Sequence, residues 1–141
     1  MSNISKNFTW EEMEYSKKAK ENNIKNTIDT SDVRDSINAL VKNILQPLRD
    51  AWGNTLKINS GYRCKELNEK IGGVPTSQHC KGEAADISSS KPIALARLAK
   101  DLNLPYDQMI IYPTFVHFSH KKIGIQRKQI LYNKSYKGEK L

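Results

Sequence analysis

Between residues 31 and 52 the apolar side chains Val33, Ile37, Leu40, Val41, Ile44 and Leu48 recur at helical spacing. They form one continuous stripe. A helix with such a face must bury it, so the rest of the chain has to supply a surface that covers it. Thr30 or Ser31 is a natural N-cap, Asp32 and Asp35 suit the positive end of the helix dipole, and Gly53 provides the stop. Pro47 lies inside the stripe and predicts a kink or an interruption there.

Shorter elements flank this helix. Thr9 followed by Glu12 is a capping-box pattern that opens a helix over residues 9–20, with Phe8 as the staple and Trp10, Met13 and Ala19 facing inward. Residues 22–30, rich in Asn and Thr, read as a loop. A strand is expected at 56–59, then a short helix at 64–71 with Leu67 and Ile71 inward, closed by Gly72 and Gly73. The segment V-P-T-S-Q-H-C-K-G is turn-rich, and 83–88 reads as a strand in which Ala84, Asp86 and Ser88 share one face. Pro92 opens a further helix that packs through Leu95, Leu98, Ala99 and Leu102. Strands at 107–112 and 115–119 are joined tightly across Pro113 and Thr114, and 129–132 is a candidate last strand. The fold class this predicts is α+β, a small and mostly antiparallel sheet with helices against it.

A chain of 141 residues is expected to form one domain, with 121–141 as a basic C-terminal extension. The mean hydropathy of −0.66 describes a polar protein, and no apolar run approaches the roughly 20 residues that span a bilayer. No apolar signal-peptide core is visible near the N-terminus. Cytoplasmic synthesis is therefore expected, with any exit from the cell by a route other than the chain's own signal. The net charge of +8 favours polyanionic surroundings, among them nucleic acid, anionic membrane and bacterial wall. No nucleic-acid-binding motif accompanies it, so no specific nucleic-acid partner is expected, and the chain is read as a monomer. The basic tail reads either as a solubilising surface or as a binding arm. Cys64 and Cys80 are too few for a disulfide scaffold and read as free structural thiols.

His79 precedes Asp86 by seven positions, with small residues between them, and His117 follows in the apolar run F-V-H-F-S. Two imidazoles and one carboxylate suffice to hold a zinc ion while leaving its fourth position open, the pattern of a catalytic rather than a structural site. Asp86 and His117 fall on strands that can be neighbours. His120 points to the opposite strand face from His117, so the two cannot readily ligate one ion. Gly82 and Ala84 are expected to leave room for the ion and for a substrate backbone.

The strings S-G-Y-R, S-Q-H-C-K-G-E-A-A-D-I and F-V-H-F-S, in that order, resemble zinc peptidases of the M15 type. That group includes D-alanyl-D-alanine carboxypeptidases and L-alanyl-D-glutamate endopeptidases, many of them phage endolysins. The pattern S-x-H-x-x-G-x-A-x-D followed by V-H-x-S is filled by Ser77, His79, Gly82, Ala84, Asp86, Val116, His117 and Ser119. The resemblance implies a fold like that of hedgehog and DD-peptidase domains, with zinc held by His79, Asp86 and His117. It implies a peptidoglycan stem peptide as the substrate and release to the wall by a phage lysis route. Arg63 matches an arginine that binds the scissile carbonyl or a substrate carboxylate, and Ser77 a serine that contacts substrate.

One position departs from the family pattern. A Glu or Asp a few residues before the last histidine serves there as general base, whereas this chain has no acid between Ile110 and Val116. Tyr112 stands at about that place and is assigned to substrate contact, because a phenol is a poor base at neutral pH. Asp107, the nearest acid upstream, falls at the far end of a strand. The expected function is a zinc metallopeptidase acting on the cell wall. The alternative is a zinc-containing module that binds wall or protein without cleaving it.

Overall fold

The computed structural model describes residues 2–141. Five strands form the main sheet in the order β3 (Lys57–Ser60), β4 (Ala84–Ser88), β6 (Phe115–Ser119), β5 (Gln108–Ile111), β7 (Gln129–Tyr132). Every pairing is antiparallel except β5 with β7. A two-stranded hairpin, β1 (Asn3–Ser5) and β2 (Phe8–Thr9), precedes the helices. The architecture is α+β with helices against one sheet face. Residues 129–132 of the basic tail belong to that sheet.

Strand alternation divides the sheet's two faces. Ala85, Ile87, Val116, Phe118, Met109 and Ile111 are fully buried and form one core with Ile37, Leu40, Ile44 and Leu48 of the long helical stretch. Helix α6 (Pro92–Asp101) adds Leu95, Ala96 and Ala99 to that core. Each large apolar side chain so buried contributes about 1.5–3 kcal/mol relative to exposure. Leu102, expected inward, is the C-cap of α6 and lies exposed, because the helix ends before its face comes round.

The stripe helix absorbs Pro47 without breaking. Helix α3 (Ser31–Leu40) runs into a π-helical turn, Val41–Leu45, and then into α4 (Gln46–Trp52). The Gln46 N–H bonds the Val41 carbonyl, five residues back, so the wider turn sits just ahead of the ring that cannot donate. The extra residue shifts the helical phase. Leu45, outside the regular stripe, is turned inward and fully buried beside Leu48.

The expected helix over 9–20 is two helices, α1 (Trp10–Glu14) and α2 (Lys17–Glu21). The capping box at Thr9 and Glu12 forms as the sequence suggests. Continuation fails at Tyr15 because the carbonyls that would carry it are engaged elsewhere. Met13 O accepts from Tyr62 N–H at 2.8 Å, and Glu14 O accepts from Asn26 Nδ2 at 2.9 Å. Ser16 then caps a new helix by accepting from Ala19 N–H. In α5 (Lys65–Lys70), Leu67 is buried, but Ile71 is the C-cap and is exposed rather than inward. No helix among the described residues is long and apolar enough to cross a membrane.

Candidate metal centre

The β4–β6 register places Asp86 directly opposite His117, with Ser60 of β3 opposite Asp86 and Ile110 of β5 opposite His117. Cross-strand partners share a face, so this row lies on the side of the sheet opposite the core helices α3, α4 and α6. His117 Nδ1 is 2.8 Å from Asp86 Oδ1. His79 arrives from a 3-10 turn, Gln78–Lys81, in which the Ser77 hydroxyl accepts from the His79 N–H at 3.2 Å. The two imidazoles stand edge to face with centroids 5.1 Å apart. One donor atom from each of His79, Asp86 and His117 lies within 4.8 Å of the others.

His79 supplies a test of whether this cluster suits a cation. Its Nδ1 donates to Gly61 O at 2.7 Å, which fixes the tautomer and leaves Nε2 as the lone-pair nitrogen. The ring is 3 % exposed, and burial pushes its pKa down, outweighing the nearby Asp86 charge, so it stays neutral. Nε2 has no hydrogen-bond partner, although it lies 3.3 Å from Asp86 Oδ1, off line for a bond. Two acceptors facing each other in a buried site repel unless a cation sits between them. The donor set fits zinc.

Asp86 is itself buried, which raises its carboxyl. The 2.8 Å hydrogen bond with His117 and the closeness of the His79 ring overcome this and hold it well below the usual carboxylate range. It is an anion at neutral pH.

Arg63 stands beside the cluster with its charge unneutralised. Its Nη1 donates to Asn68 Oδ1 at 2.9 Å, its Nε to Ser60 Oγ at 3.4 Å, and its backbone N–H to His79 O at 3.2 Å. All three acceptors are neutral, and no carboxylate among the described residues lies within ion-pair distance of it. Asn68, 2 % exposed, also donates to Val74 O and so fixes the guanidinium's position. A cleft of about 360 Å³ reaches from Asp86 past Ser60, Tyr62 and Arg63 to Lys17 and Lys18 at its edge.

Gly61 and Asn26 hold this wall in place, and neither stood out in the sequence as doing so. A Cβ on Gly61 would come within 2.7 Å of Met13 O, so only glycine lets S-G-Y-R pass α1 and still present its carbonyl to His79. Asn26 donates to Glu14 O and Tyr62 O and accepts from Cys64 N–H, tying three segments together. The S-G-Y-R string pointed to Gly61 only through the family resemblance. Asn26 and Asn68 left no local signal.

Gly82 does not serve the ion. It takes a left-handed conformation (φ +75°) to close the 3-10 turn, and a Cβ there would meet Val33 O at 2.7 Å. Tyr112 stacks on Phe115, with centroids 4.1 Å apart, at the end of the β5–β6 hairpin. Burial and the Asp86 charge push its phenol up, so it is a donor and not a base. Asp107 is fully buried and engaged by Arg127. Cys64 and Cys80 are unpaired and half-buried.

A family model described as Peptidase M15 matches residues 6–120, a span that takes in every one of these site residues. No curated protein matches the chain.

Proposed function

The chain belongs to the peptidase M15 family, and from that premise we propose a zinc-dependent peptidase that hydrolyses the stem peptides of bacterial peptidoglycan, as an endolysin does. The buried, unpartnered Nε2 of His79 facing the Asp86 carboxylate carries the zinc assignment. His79, Asp86 and His117 would hold the ion. Bound zinc supplies Lewis acidity that polarises a peptide carbonyl and activates water. Arg63, unpaired in the cleft, binds the carbonyl oxygen as it becomes anionic, or a substrate carboxylate. Stem peptides carry free carboxylates, which the cationic edge at Lys17 and Lys18 favours. Ser77 spends its oxygen lone pair on the turn that carries His79 and keeps its hydroxyl proton for a substrate acceptor. Tyr112 donates from its phenol. The test is hydrolysis of purified muropeptides by zinc-loaded protein, with and without a chelator. Failure of the loaded protein to cleave any stem peptide would sink the reading.

Asn68 acts through Arg63 as a positioning residue. Asn68→Ala is expected to lower kcat/KM about tenfold by releasing the guanidinium, with zinc affinity unchanged. A merely structural role would lower the unfolding temperature and leave kcat/KM of the folded enzyme intact.

The phenol at Tyr112 favours a second reading, in which the fold keeps its metal and binds wall peptide without cleaving it. Tyr112→Glu restores a carboxylate near the site and is the discriminating variant. Hydrolysis gained over an inert wild type supports the binding module. A wild type that already cleaves, and a variant that cleaves no faster, removes it.

A further inference from the structure

The family match ends at His120, and the next eight residues, K-K-I-G-I-Q-R-K, form a loop that the site does not use. Both legs of this loop are anchored. The Gln126 side chain brackets Lys121, accepting from its N–H at 2.9 Å and donating to its carbonyl at 2.8 Å. Lys122 N–H donates to Glu83 Oε2, and Arg127 donates from backbone and guanidinium to the buried Asp107. Gly124 turns the tip at φ +102°. On either side of it Ile123 is 80 % and Ile125 86 % exposed, more than any other large apolar side chain described.

Single exposed apolar residues are ordinary, but two β-branched ones flanking a glycine on a clamped tip form a fixed apolar prong. Lysines and an arginine surround it at 121, 122, 127 and 128. Asp107 and Asp32 offset part of that local charge. Residues 121–141 nevertheless hold seven Lys or Arg against one Glu, so 7 − 1 = +6 of the chain's +8 lies in this segment. We propose that the Lys121–Lys128 loop docks on an anionic lipid bilayer, its two isoleucines entering the boundary between headgroups and acyl chains while the basic segment meets the headgroups. A soluble polyanion would use the cations but would have no apolar phase for Ile123 and Ile125. The isoleucines therefore favour a membrane surface over a wall polymer.

Co-sedimentation of the full chain with vesicles tests this. Vesicles of equal parts phosphatidylglycerol and phosphatidylcholine are expected to bind it, and pure phosphatidylcholine vesicles to bind it weakly. An Ile123→Ser, Ile125→Ser double variant should bind the anionic vesicles about tenfold more weakly or worse, with its zinc affinity and unfolding temperature unchanged. In an Ile123→Trp variant, indole emission should shift to the blue on vesicle addition. No binding by the wild type overturns the proposal. So does equal binding by the double variant, which would mark charge adsorption alone. Self-association of the wild type that the double variant abolishes also overturns it, because a second copy would then cover the prong.

Discussion

Asp86→Asn is expected to abolish zinc binding by this chain and, with it, peptide hydrolysis. Asparagine keeps the size and most of the shape of the side chain but removes the one anion between two imidazoles. Loss of a mere outer partner of a metal ligand already costs roughly 10–100-fold in affinity or activity, and loss of the only charged ligand should exceed that. Thermal unfolding separates the metal effect from damage to the fold. A ligand at a hundredfold excess over its Kd stabilises by about 2.7 kcal/mol. For a domain of this size that raises the unfolding temperature by roughly 6–12 °C. Wild type should show this rise on zinc addition and Asp86→Asn should not. The depressed pKa of His79, set by its burial, means that this imidazole would accept a metal at neutral pH without first shedding a proton. Tight zinc binding by the asparagine variant would remove Asp86 from the ligand set.

Asp107→Ala is expected to destabilise the fold by about 2–3 kcal/mol without changing zinc affinity. Its carboxylate has no exposure, accepts from Arg127 N–H at 2.8 Å and from Nη2 at 2.7 Å, and lies 3.9 Å from Lys121 Nζ. Its backbone joins two strand partners, donating to Ser119 O and accepting from Gln129 N–H. The side chain is thus the pin that brings the C-terminal segment back to the sheet as β7. Arg127 is 45 % exposed and recovers water on truncation, which keeps the cost at the lower end for a broken buried pair. Burial raises the Asp107 pKa, but hydrogen bonds from the Arg127 side chain and backbone, with the Arg127 and Lys121 charges, bring it below its ordinary value. A folded-state value lower than the unfolded one means stability that is present above about pH 4 and lost as pH falls through the folded value. Denaturant unfolding at neutral pH and near pH 3 checks both parts. The wild type should lose stability across that interval, and Asp107→Asn should lose measurably less. Equal acid sensitivity in the two proteins would show that Asp107 is not titrating against Arg127.

Much of the scaffold was legible because it follows from periodicity. The stripe from Ile37 to Leu48 is buried as its spacing requires, and alternation along β4 and β6 sends Asp86 and His117 to one face and Ile87 and Phe118 to the other. The errors fall where a tertiary bond outbid a local preference. Helix propensity continues through Tyr15, but Tyr62 and Asn26 take the carbonyls that continuation needs. At Pro47 the predicted interruption takes the form of a π turn just ahead of the ring, with Val41, Ile44 and Leu45 still in the core. Ile71 and Leu102 keep the right spacing but stand at helix ends, where the face no longer meets the core.

The sequence by itself determined which groups are available for chemistry: two imidazoles and a carboxylate in ligand order, an arginine after S-G-Y, and no acid where a base is expected before His117. Only the tertiary structure decided how they stand to one another. The Gly61 carbonyl that orients His79 lies 18 residues away from it in sequence, and Cys64 N–H meets Asn26 across 38. Residue spacing encodes which face a side chain takes, because that depends on the neighbouring backbone. It does not encode which distant acceptor waits on that face, because that bond exists only after the chain has closed.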